Sequence, residues 1–246
     1  MLPAFTRLKE RTMPILVTVH GIMSDARTWA PLAEALYPRL AGVHVADTTR
    51  DATLEEMAAR ALTATEGPLI VAAHSMGGRV ALEMGRQAPA RIKAMILSST
   101  GAEPAGPGEP AHRQTRIDQA NADMTRYARD WAPKVLAPEN RSDEALLARV
   151  RAMVEACPAE VHERQNRALL VRPDAFAYIG AFNFPVLLIT GEHDHLSTPE
   201  VHAGIAKAIP DAESRVIPRA GHLLPFEQRE RVSELVSDWL TARGIL

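Results

Sequence analysis

The stretch LIVAAHSMGG, residues 69–78, places a serine between an apolar run of strand length and the start of a helical pattern. A sharp turn from strand to helix crowds the positions two residues before and after the serine, so the small residues Ala73 and Gly77 suit it. Such a turn lifts the Ser75 hydroxyl off the sheet, and it leaves the Met76 N–H at a helix N-terminus, free to bind an oxyanion. The stretch therefore predicts a nucleophilic serine at position 75.

Further apolar, β-branched runs recur along the chain, and helical patterns separate most of them. Most runs are apolar on both faces, as buried strands of a parallel sheet are. The predicted strands are residues 15–19, 43–46, 69–73, 94–98, 185–190 and 214–217. The predicted helices are residues 25–40, 53–65, 76–88, 199–208 and 226–242. This alternation predicts an α/β fold with a mostly parallel sheet of about six strands and helices on both faces.

The alternation is interrupted once, between residues 101 and 184. A loop rich in Gly and Pro, residues 103–110, leads into helical patterns at 113–131, 142–157 and 159–170. Because this segment has no obvious strand, we expect it to lie over the sheet as a lid. The predicted organisation is a core of residues 1–103 and 183–246, with a helical lid of residues 104–182 inserted in it.

The predicted lid is balanced in charge. It carries 11 Lys and Arg residues and 11 Asp and Glu residues. We therefore interpret its arginines as part of a solvated helical surface rather than as a site for an acidic substrate. An apolar lid with few aromatic residues also predicts a substrate of small or medium size.

The composition is that of an ordinary globular chain. The 246 residues fit one domain with an insertion, 46% are apolar, and the net charge of -2 favours neither a nucleic-acid nor an anionic membrane partner. Cys157 is the only cysteine, so the chain cannot form an internal disulfide. We interpret Cys157 as a small apolar residue. The first residues lack the apolar region of a secretory signal, and no run is long enough to cross a membrane. We expect a cytoplasmic protein.

Two later predicted strands also end in polar residues. The strand 185–190 runs into Gly191-Glu192-His193-Asp194, and the strand 214–217 is followed closely by His222. Functional groups collect at the carboxyl ends of the strands in such sheets. We assign His222 as the base that activates Ser75 and Asp194 as the acid that orients it, with Glu192 as a weaker candidate. The order Ser, Asp, His along the chain supports this assignment.

The same acidic run, residues 192–195, also offers metal-binding side chains. Neighbouring residues on an extended loop point in different directions, and no His-x-x-x-His pair accompanies them. We therefore expect no metal site.

The first predicted strand ends in His20-Gly21-Ile22. Gly21 permits a backbone turn that aims an N–H group at the nucleophile. We assign the Ile22 N–H, together with that of Met76, as the oxyanion donors. His20 is expected to hold this loop by a hydrogen bond rather than to react.

Together these motifs resemble the α/β-hydrolase superfamily over most of the chain. The resemblance rests on His20-Gly21, Trp29, the run HSMGG at 74–78, the run GEHD at 191–194, and Gly221-His222. It is nearest to the esterases, lactonases and C–C hydrolases with a Ser-Met-Gly-Gly turn, and it implies the Ser–His–Asp triad and the helical lid. Few residues precede Ile15, so the two opening strands of the family are expected to be absent. The short stretch 47–51 stands where the family often has a longer Gly-rich segment. The resemblance therefore does not identify the substrate.

The resulting expectation is a serine hydrolase acting on a small-molecule substrate without metal or organic cofactor. It would cleave a carboxylic ester, lactone or thioester through an acyl-enzyme on Ser75, with Trp131 and Leu223 lining the substrate pocket. Cleavage of a carbon–carbon bond in a β-diketone by the same triad is the alternative. A ligand-binding module without catalysis is the alternative of another class, and the intact triad argues against it. The sequence does not decide between a monomer and a homodimer.

Overall fold

Six parallel strands form a single sheet in the computed structural model, which describes residues 13–246. The strands are β1 (Ile15–Val19), β2 (Gly42–Val45), β3 (Leu69–His74), β4 (Ile92–Ser98), β5 (Val186–Gly191) and β6 (Ala212–Ile217). All neighbouring pairs are parallel. The predicted α/β class and six-stranded sheet are confirmed. The expectations about opening strands and a secretory segment concern residues 1–12, which lie outside the described residues.

Helices connect and cover these strands. The α-helices are α1 (Ala30–Leu36), α2 (Leu54–Thr63), α3 (Met76–Gln87), α4 (Glu109–Ala122), α5 (Met124–Trp131), α6 (Glu144–Glu155), α7 (Ala159–Leu170), α8 (Pro199–Ala208), α9 (Leu224–Glu227) and α10 (Arg229–Ala242). Short 3₁₀ turns occur at Ala26–Thr28, Tyr37–Arg39, Pro89–Arg91, Ala132–Lys134, Pro138–Asn140, Ala175–Ala177 and Ile179–Ala181. Within residues 13–246, no helix combines the length and apolar character needed to cross a membrane.

Three of the predicted helices are interrupted, each for a local reason. Residues 25–40 divide into a 3₁₀ turn, α1 and a second 3₁₀ turn. Pro31 and Pro38 each lie in the first turn of a new helix, and neither has the N–H group that would extend the preceding helix. Residues 113–131 break at Asp123, whose side chain caps α5 by accepting a hydrogen bond from the Arg126 N–H. Residues 226–242 break at Gln228, which has a non-helical backbone.

The sheet separates two apolar layers. Val17 and Val71 face a layer completed by α2, α3 and α8, whereas Leu16 and Ile70 face a layer completed by α1 and α10. Side chains alternate between the two faces of a strand, and here both faces are covered. The central strands are therefore apolar throughout, as the sequence predicted.

In the strand order β2-β1-β3-β4-β5-β6, successive strands are added toward one edge after β1 and toward the other edge after β3. The connection from β1 leads outward to β2, while the chain from β3 runs toward the opposite edge of the sheet. A crevice opens beyond the carboxyl ends of the strands at such a point, and ligands of open α/β sheets bind there. Ser75 follows β3 and His20 follows β1, so both lie at this crevice.

The segment between β4 and β5 is helical in the structure. Its helices α4 to α7 pair as α4 with α7 and α5 with α6. We call residues 104–182 the inserted segment. Three apolar clusters attach it to the rest of the chain: the layer beside α2, α3 and α8, a cluster with Leu223 and Phe226, and a cluster with Met23.

Arg172 ties the two ends of the inserted segment together. Its guanidinium donates hydrogen bonds to the carbonyl oxygens of Glu103, at 2.9 Å, and Pro104, at 3.0 Å, where the segment begins. It also pairs with the Glu109 carboxylate at 2.7 Å. Only 4% of the Arg172 side chain is exposed. Removing one partner of a buried ion pair is costly because the other charge is left without its counterpart.

We expect Arg172→Met to lower the free energy of unfolding by about 3 kcal/mol, at the lower end of the range for broken buried pairs. The loss is limited because Glu109 also pairs with Arg113. Chemical denaturation followed by circular dichroism measures the change. The matched control is Arg167→Met, whose side chain is 56% exposed and, within residues 13–246, pairs only with Glu163 on the same helix. That variant should lose no more than about 0.5 kcal/mol, and an equal loss in both variants would contradict the anchoring role.

Candidate active site

Ser75 lies in a strained turn between β3 and α3. Its φ is 54° and its ψ is -120°, values that few residues other than glycine adopt. The end of β4 holds the turn, since the Ser75 N–H donates to the Ser98 carbonyl at 2.9 Å and the Thr100 hydroxyl donates to the Ser75 carbonyl at 2.7 Å. Gly77 is required two residues later, because a Cβ atom there would lie 2.4 Å from the Val19 carbonyl oxygen.

His222 and Asp194 form a chain of hydrogen bonds with Ser75. The Ser75 Oγ lies 2.9 Å from His222 Nε2, and His222 Nδ1 lies 3.1 Å from each carboxylate oxygen of Asp194. Both His222 and Asp194 are buried. With its Nδ1–H directed at Asp194, the imidazole presents the Nε2 lone pair to the serine hydroxyl. This arrangement can remove the serine proton.

The Asp194 carboxylate is held by the loop that follows β5. One of its oxygens accepts hydrogen bonds from the N–H groups of Leu196 and Ser197, both at 2.9 Å. Burial by itself would raise the pKa of the Asp194 carboxyl, but His222 and these two N–H groups outweigh it and hold the pKa well below its usual range. Asp194 is therefore ionised and fixed in place beside the imidazole.

The other polar residues of this loop point elsewhere. Glu192 is exposed, and its carboxylate accepts a hydrogen bond from the Arg219 N–H at 3.3 Å. His193 faces Glu139, 3.5 Å away. Asp194, rather than Glu192, is the acid beside His222. In the part of the chain that the structure describes, no group of three or more His, Cys, Asp and Glu side chains could hold a metal ion.

His74, the residue before Ser75, holds the main chain of His222. Its Nε2 lies 2.8 Å from the carbonyl oxygen of His222, and the two rings are 5.2 Å apart. Burial, and then the nearby His222, lower the pKa of His74 to about 3. The neutral ring donates its Nε2–H to the carbonyl and so fixes the main chain of the base. No sequence motif gives His74 a role of its own, although its place beside Ser75 is a usable signal.

The loop after β1 approaches the serine closely. A Cβ atom at Gly21 would lie 3.1 Å from the Ser75 Cβ, so a larger residue would crowd the nucleophile. Ile22 and Met76 line the same cavity as Ser75. Met76 is the first residue of α3, and its N–H therefore has no acceptor within the helix. His20 Nδ1 lies 3.1 Å from the Gly21 carbonyl oxygen, which fits the loop-holding role expected of it.

Gln165, on α7 of the inserted segment, holds this loop from above. Its side-chain oxygen accepts a hydrogen bond from the Met23 N–H at 3.1 Å, and its amide group donates to the Thr48 carbonyl at 3.3 Å. Gln165 is 1% exposed, and Met23 has a positive φ of 55°. A single buried amide thus fixes the conformation of the loop that carries Ile22. No sequence motif marked Gln165.

A cavity of about 340 Å³ lies above Ser75 and beneath the inserted segment. Trp131 lines it, as the sequence predicted. The prediction for Leu223 is wrong, because Leu223 is 1% exposed and packs with Leu136 and Leu147 of the inserted segment. The turn after His222 directs the next side chain into that cluster and away from the cavity.

The cavity is cationic, which corrects the interpretation of the inserted segment as an apolar lid with solvated arginines. Four arginines and two glutamates line it: Arg79, Arg113, Arg116, Arg172, Glu103 and Glu109. Three of these arginines belong to the inserted segment and face inward. Equal numbers of acidic and basic residues along the segment concealed this, because a charge count does not show which face of each helix carries the cations.

A sequence model of the alpha/beta hydrolase family matches residues 16–235, which is most of the chain. The chain belongs to the alpha/beta hydrolase family. The region of this alpha/beta hydrolase that the family model matches includes Ser75, Asp194 and His222.

Similar proteins include two curated relatives named 2-succinyl-6-hydroxy-2,4-cyclohexadiene-1-carboxylate synthase. The protein from an Enterobacter species is 26% identical over 259 residues, covering 97% of this chain and 96% of the relative. The putative synthase from Bacillus subtilis is 28% identical over 187 residues, covering 69% of this chain and 64% of the relative. This alpha/beta hydrolase thus spans less than two thirds of the Bacillus protein.

Among solved structures, an esterase from Thermogutta terrifontis with malate bound is similar along most of its length. It has a TM-score of 0.82 and 27% sequence identity, and the match covers 94% of this chain and 90% of the esterase. The alpha/beta hydrolase described here shares the architecture of that esterase.

We expect Asp194→Asn to lower the kcat of this alpha/beta hydrolase on p-nitrophenyl butyrate by about 10⁴-fold. An amide donates to His222 Nδ1 and holds the tautomer that cannot accept the serine proton. Steady-state kinetics measures the change, and Glu192→Gln is the matched control, with activity expected within two-fold or so of wild type. A larger loss in the control would assign the acid to Glu192 instead.

Gln165→Leu tests the support of the loop that carries Ile22. We expect kcat to fall about ten-fold with little change in KM, less than the 10²–10³-fold that follows loss of an oxyanion donor itself. The thermal unfolding midpoint should also fall, because the Met23 N–H loses its partner in a buried site. Gln114→Leu, at an exposed position of α4, is the control. Unchanged kcat together with a lower unfolding temperature would leave Gln165 a purely structural role.

Proposed function

We propose that the protein is a serine hydrolase that cleaves ester-type substrates through an acyl-enzyme on Ser75. The observation that carries the proposal is the hydrogen-bonded chain from the Ser75 hydroxyl through His222 to the buried Asp194. The strained backbone of Ser75 is a second support, since strain of this kind persists where the surrounding structure enforces it, and it is frequent at active sites.

In the proposed acylation step, His222 Nε2 takes the hydroxyl proton while the Ser75 Oγ attacks the substrate carbonyl carbon. The carbonyl oxygen becomes an oxyanion, which the N–H groups of Ile22 and Met76 stabilise. The protonated His222 then gives its proton to the leaving group, and the carbon–oxygen or carbon–sulfur bond breaks. The ionised Asp194 stabilises the imidazolium between these two transfers.

Deacylation reuses the same groups in reverse. His222 removes a proton from water, and the hydroxide attacks the acyl carbon of the ester on Ser75. Collapse of the second oxyanion returns the proton to the serine oxygen and releases a carboxylic acid. Each step balances with water as the only co-reactant, and the residues described here supply all the proton transfers.

The substrates proposed are carboxylic esters, lactones or thioesters of small to medium size. The esterase from Thermogutta terrifontis supports an ester substrate, and the cavity of about 340 Å³ supports a small one. The helical inserted segment is proposed to act as a lid over this cavity.

A second candidate is cleavage of a carbon–carbon bond in a β-diketone-type substrate with the same triad. Two curated relatives support keeping a reaction other than ester hydrolysis, because they are named 2-succinyl-6-hydroxy-2,4-cyclohexadiene-1-carboxylate synthase. Nucleophile, base and oxyanion donors would serve both reactions. A binding module without catalysis is the third reading, and the complete hydrogen-bonded chain at Ser75 argues against it.

A cytoplasmic location is also proposed. It rests on Cys157, the only cysteine of the chain.

Burial raises the pKa of the Cys157 thiol to about 11, so the thiol stays protonated and is a poor nucleophile. This supports Ser75, rather than the cysteine, as the reactive side chain.

Ser75→Ala provides the direct test. We expect wild-type protein to hydrolyse short p-nitrophenyl esters and the variant to lose roughly 10⁴- to 10⁶-fold in kcat, because the acyl-enzyme cannot form. A fluorophosphonate should label wild type at Ser75 and leave the variant unlabelled. The control is Ser142→Ala at an exposed position, with circular dichroism to show that all proteins are folded. No turnover and no labelling of wild type would overturn the proposal and favour the binding module.

A further inference from the structure

Polar side chains without a protein partner among residues 13–246 line the cavity above Ser75, and they include His162, Arg116 and Tyr127. His162 is 0% exposed, and neither of its ring nitrogens has a hydrogen bond within the described residues. Over the same residues, Arg116 and the Tyr127 hydroxyl take part in no ion pair or hydrogen bond. All three side chains line the cavity. Buried polar groups are nearly always hydrogen-bonded, so an imidazole without a partner in the wall of a cavity points to a ligand.

The other arginines of the cavity are already committed. Arg79 pairs with Glu103 at 2.6 Å, and Arg113 donates to Glu109 and, at 3.0 Å, to the Asn166 side chain. Arg172 is held by the same Glu109 and by main-chain carbonyls. These guanidinium groups form the scaffold of the cavity. Within residues 13–246, Arg116 is the arginine of the cavity that has no ion pair or hydrogen bond.

The three free groups lie near one another. The rings of Tyr127 and His162 are 5.2 Å apart. Burial, followed by the charges of Arg116 and Arg113, lowers the pKa of His162 to about 4. His162 is therefore neutral near pH 7 and offers one N–H donor. The site combines one cationic fork with a neutral imidazole and a phenol hydroxyl, all able to donate to an anion.

We propose that Arg116, His162 and Tyr127 form a subsite for a carboxylate group carried by the substrate, at a distance from the bond that Ser75 cleaves. The inference rests on the proposed function for the reacting end of the substrate, but the subsite can be tested by binding alone. A carboxylate matches the planar guanidinium fork. Among the cavity arginines of residues 13–246, Arg116 is the one without an acidic partner, so its fork is free to receive a carboxylate.

The position of the subsite allows one substrate to contact both Ser75 and Arg116. Arg116 and Tyr127 also line a neighbouring cavity of about 180 Å³, together with Trp131 and Leu196. The latter two residues border the main cavity as well. The subsite thus lies where the two cavities meet, and the chain of an acyl group with a terminal carboxylate would run from Ser75 toward that junction.

The first experiment compares two substrates that differ only in charge, mono-p-nitrophenyl adipate and the corresponding adipamate, which carries a neutral carboxamide. The measured quantity is the ratio of their kcat/KM values. Wild type should prefer the carboxylate about ten-fold or more. Arg116→Gln should lower this ratio about ten-fold, mainly through KM, as expected for the loss of a charge-assisted hydrogen bond. Arg116→Lys should restore part of the ratio, and His162→Leu should lower it.

The matched control is Arg149→Gln, which removes a positive charge from an exposed position of α6 outside the cavity. Its ratio should equal that of wild type, which excludes a general effect of net charge. A wild-type ratio near one would overturn the subsite whatever the variants do. An unchanged ratio in folded Arg116→Gln protein would do the same.

Direct binding separates this inference from the proposed function. Monomethyl adipate and dimethyl adipate are titrated by calorimetry into Ser75→Ala protein, with and without Arg116→Gln. We expect tighter binding of the monoester, lost with Arg116. If wild type hydrolyses no ester but binds the monoester through Arg116, the serine hydrolase proposal fails and the subsite stands. If wild type hydrolyses both esters and Arg116 affects neither ratio nor binding, the hydrolase stands and the subsite fails.

Discussion

The structure depends on the close approach of the first turn of α3 to the end of β1. At Gly77 no side chain fits, since a Cβ atom would lie 2.4 Å from the carbonyl oxygen of Val19. This contact forces the chain to turn sharply at Ser75, whose positive φ is compensated by hydrogen bonds to β4. The same contact brings the loop at Gly21 against the nucleophile. The positions of Ser75 and of the proposed oxyanion donors therefore follow from one packing constraint.

The site is completed from two directions. The sheet brings Ser75, His222 and Asp194 together at the carboxyl ends of its strands, in keeping with the general behaviour of open α/β sheets. The inserted segment supplies supports: Gln165 holds the loop that carries Ile22, and the carbonyl oxygen of Val135 accepts a hydrogen bond from the His222 N–H at 2.8 Å. The segment thus holds the loops that carry Ile22 and His222 as well as covering the cavity.

Burial assigns different charge states to neighbouring groups. Desolvation lowers the pKa of both His74 and His162, with a further contribution from His222 beside His74 and from Arg116 and Arg113 beside His162, so both rings are neutral. Asp194 stays ionised because His222 and two main-chain N–H groups stabilise its charge. Arg113 and Arg172 both pair with the Glu109 carboxylate. These three side chains therefore carry one net positive charge. The cavity can accordingly attract an anion and still contain a neutral donor.

Much of the fold and of the candidate site follows from the sequence by itself. Strand-length apolar runs, the small residues around Ser75 and the order Ser, Asp, His identify elements whose geometry is local, and a parallel sheet then gathers the ends of its strands at one edge. Only the tertiary structure decided which side chains face the cavity. The direction of Leu223, the inward face of Arg116 and the hydrogen bonds of Gln165 depend on how each helix is rotated and packed, and neither composition nor spacing contains that rotation.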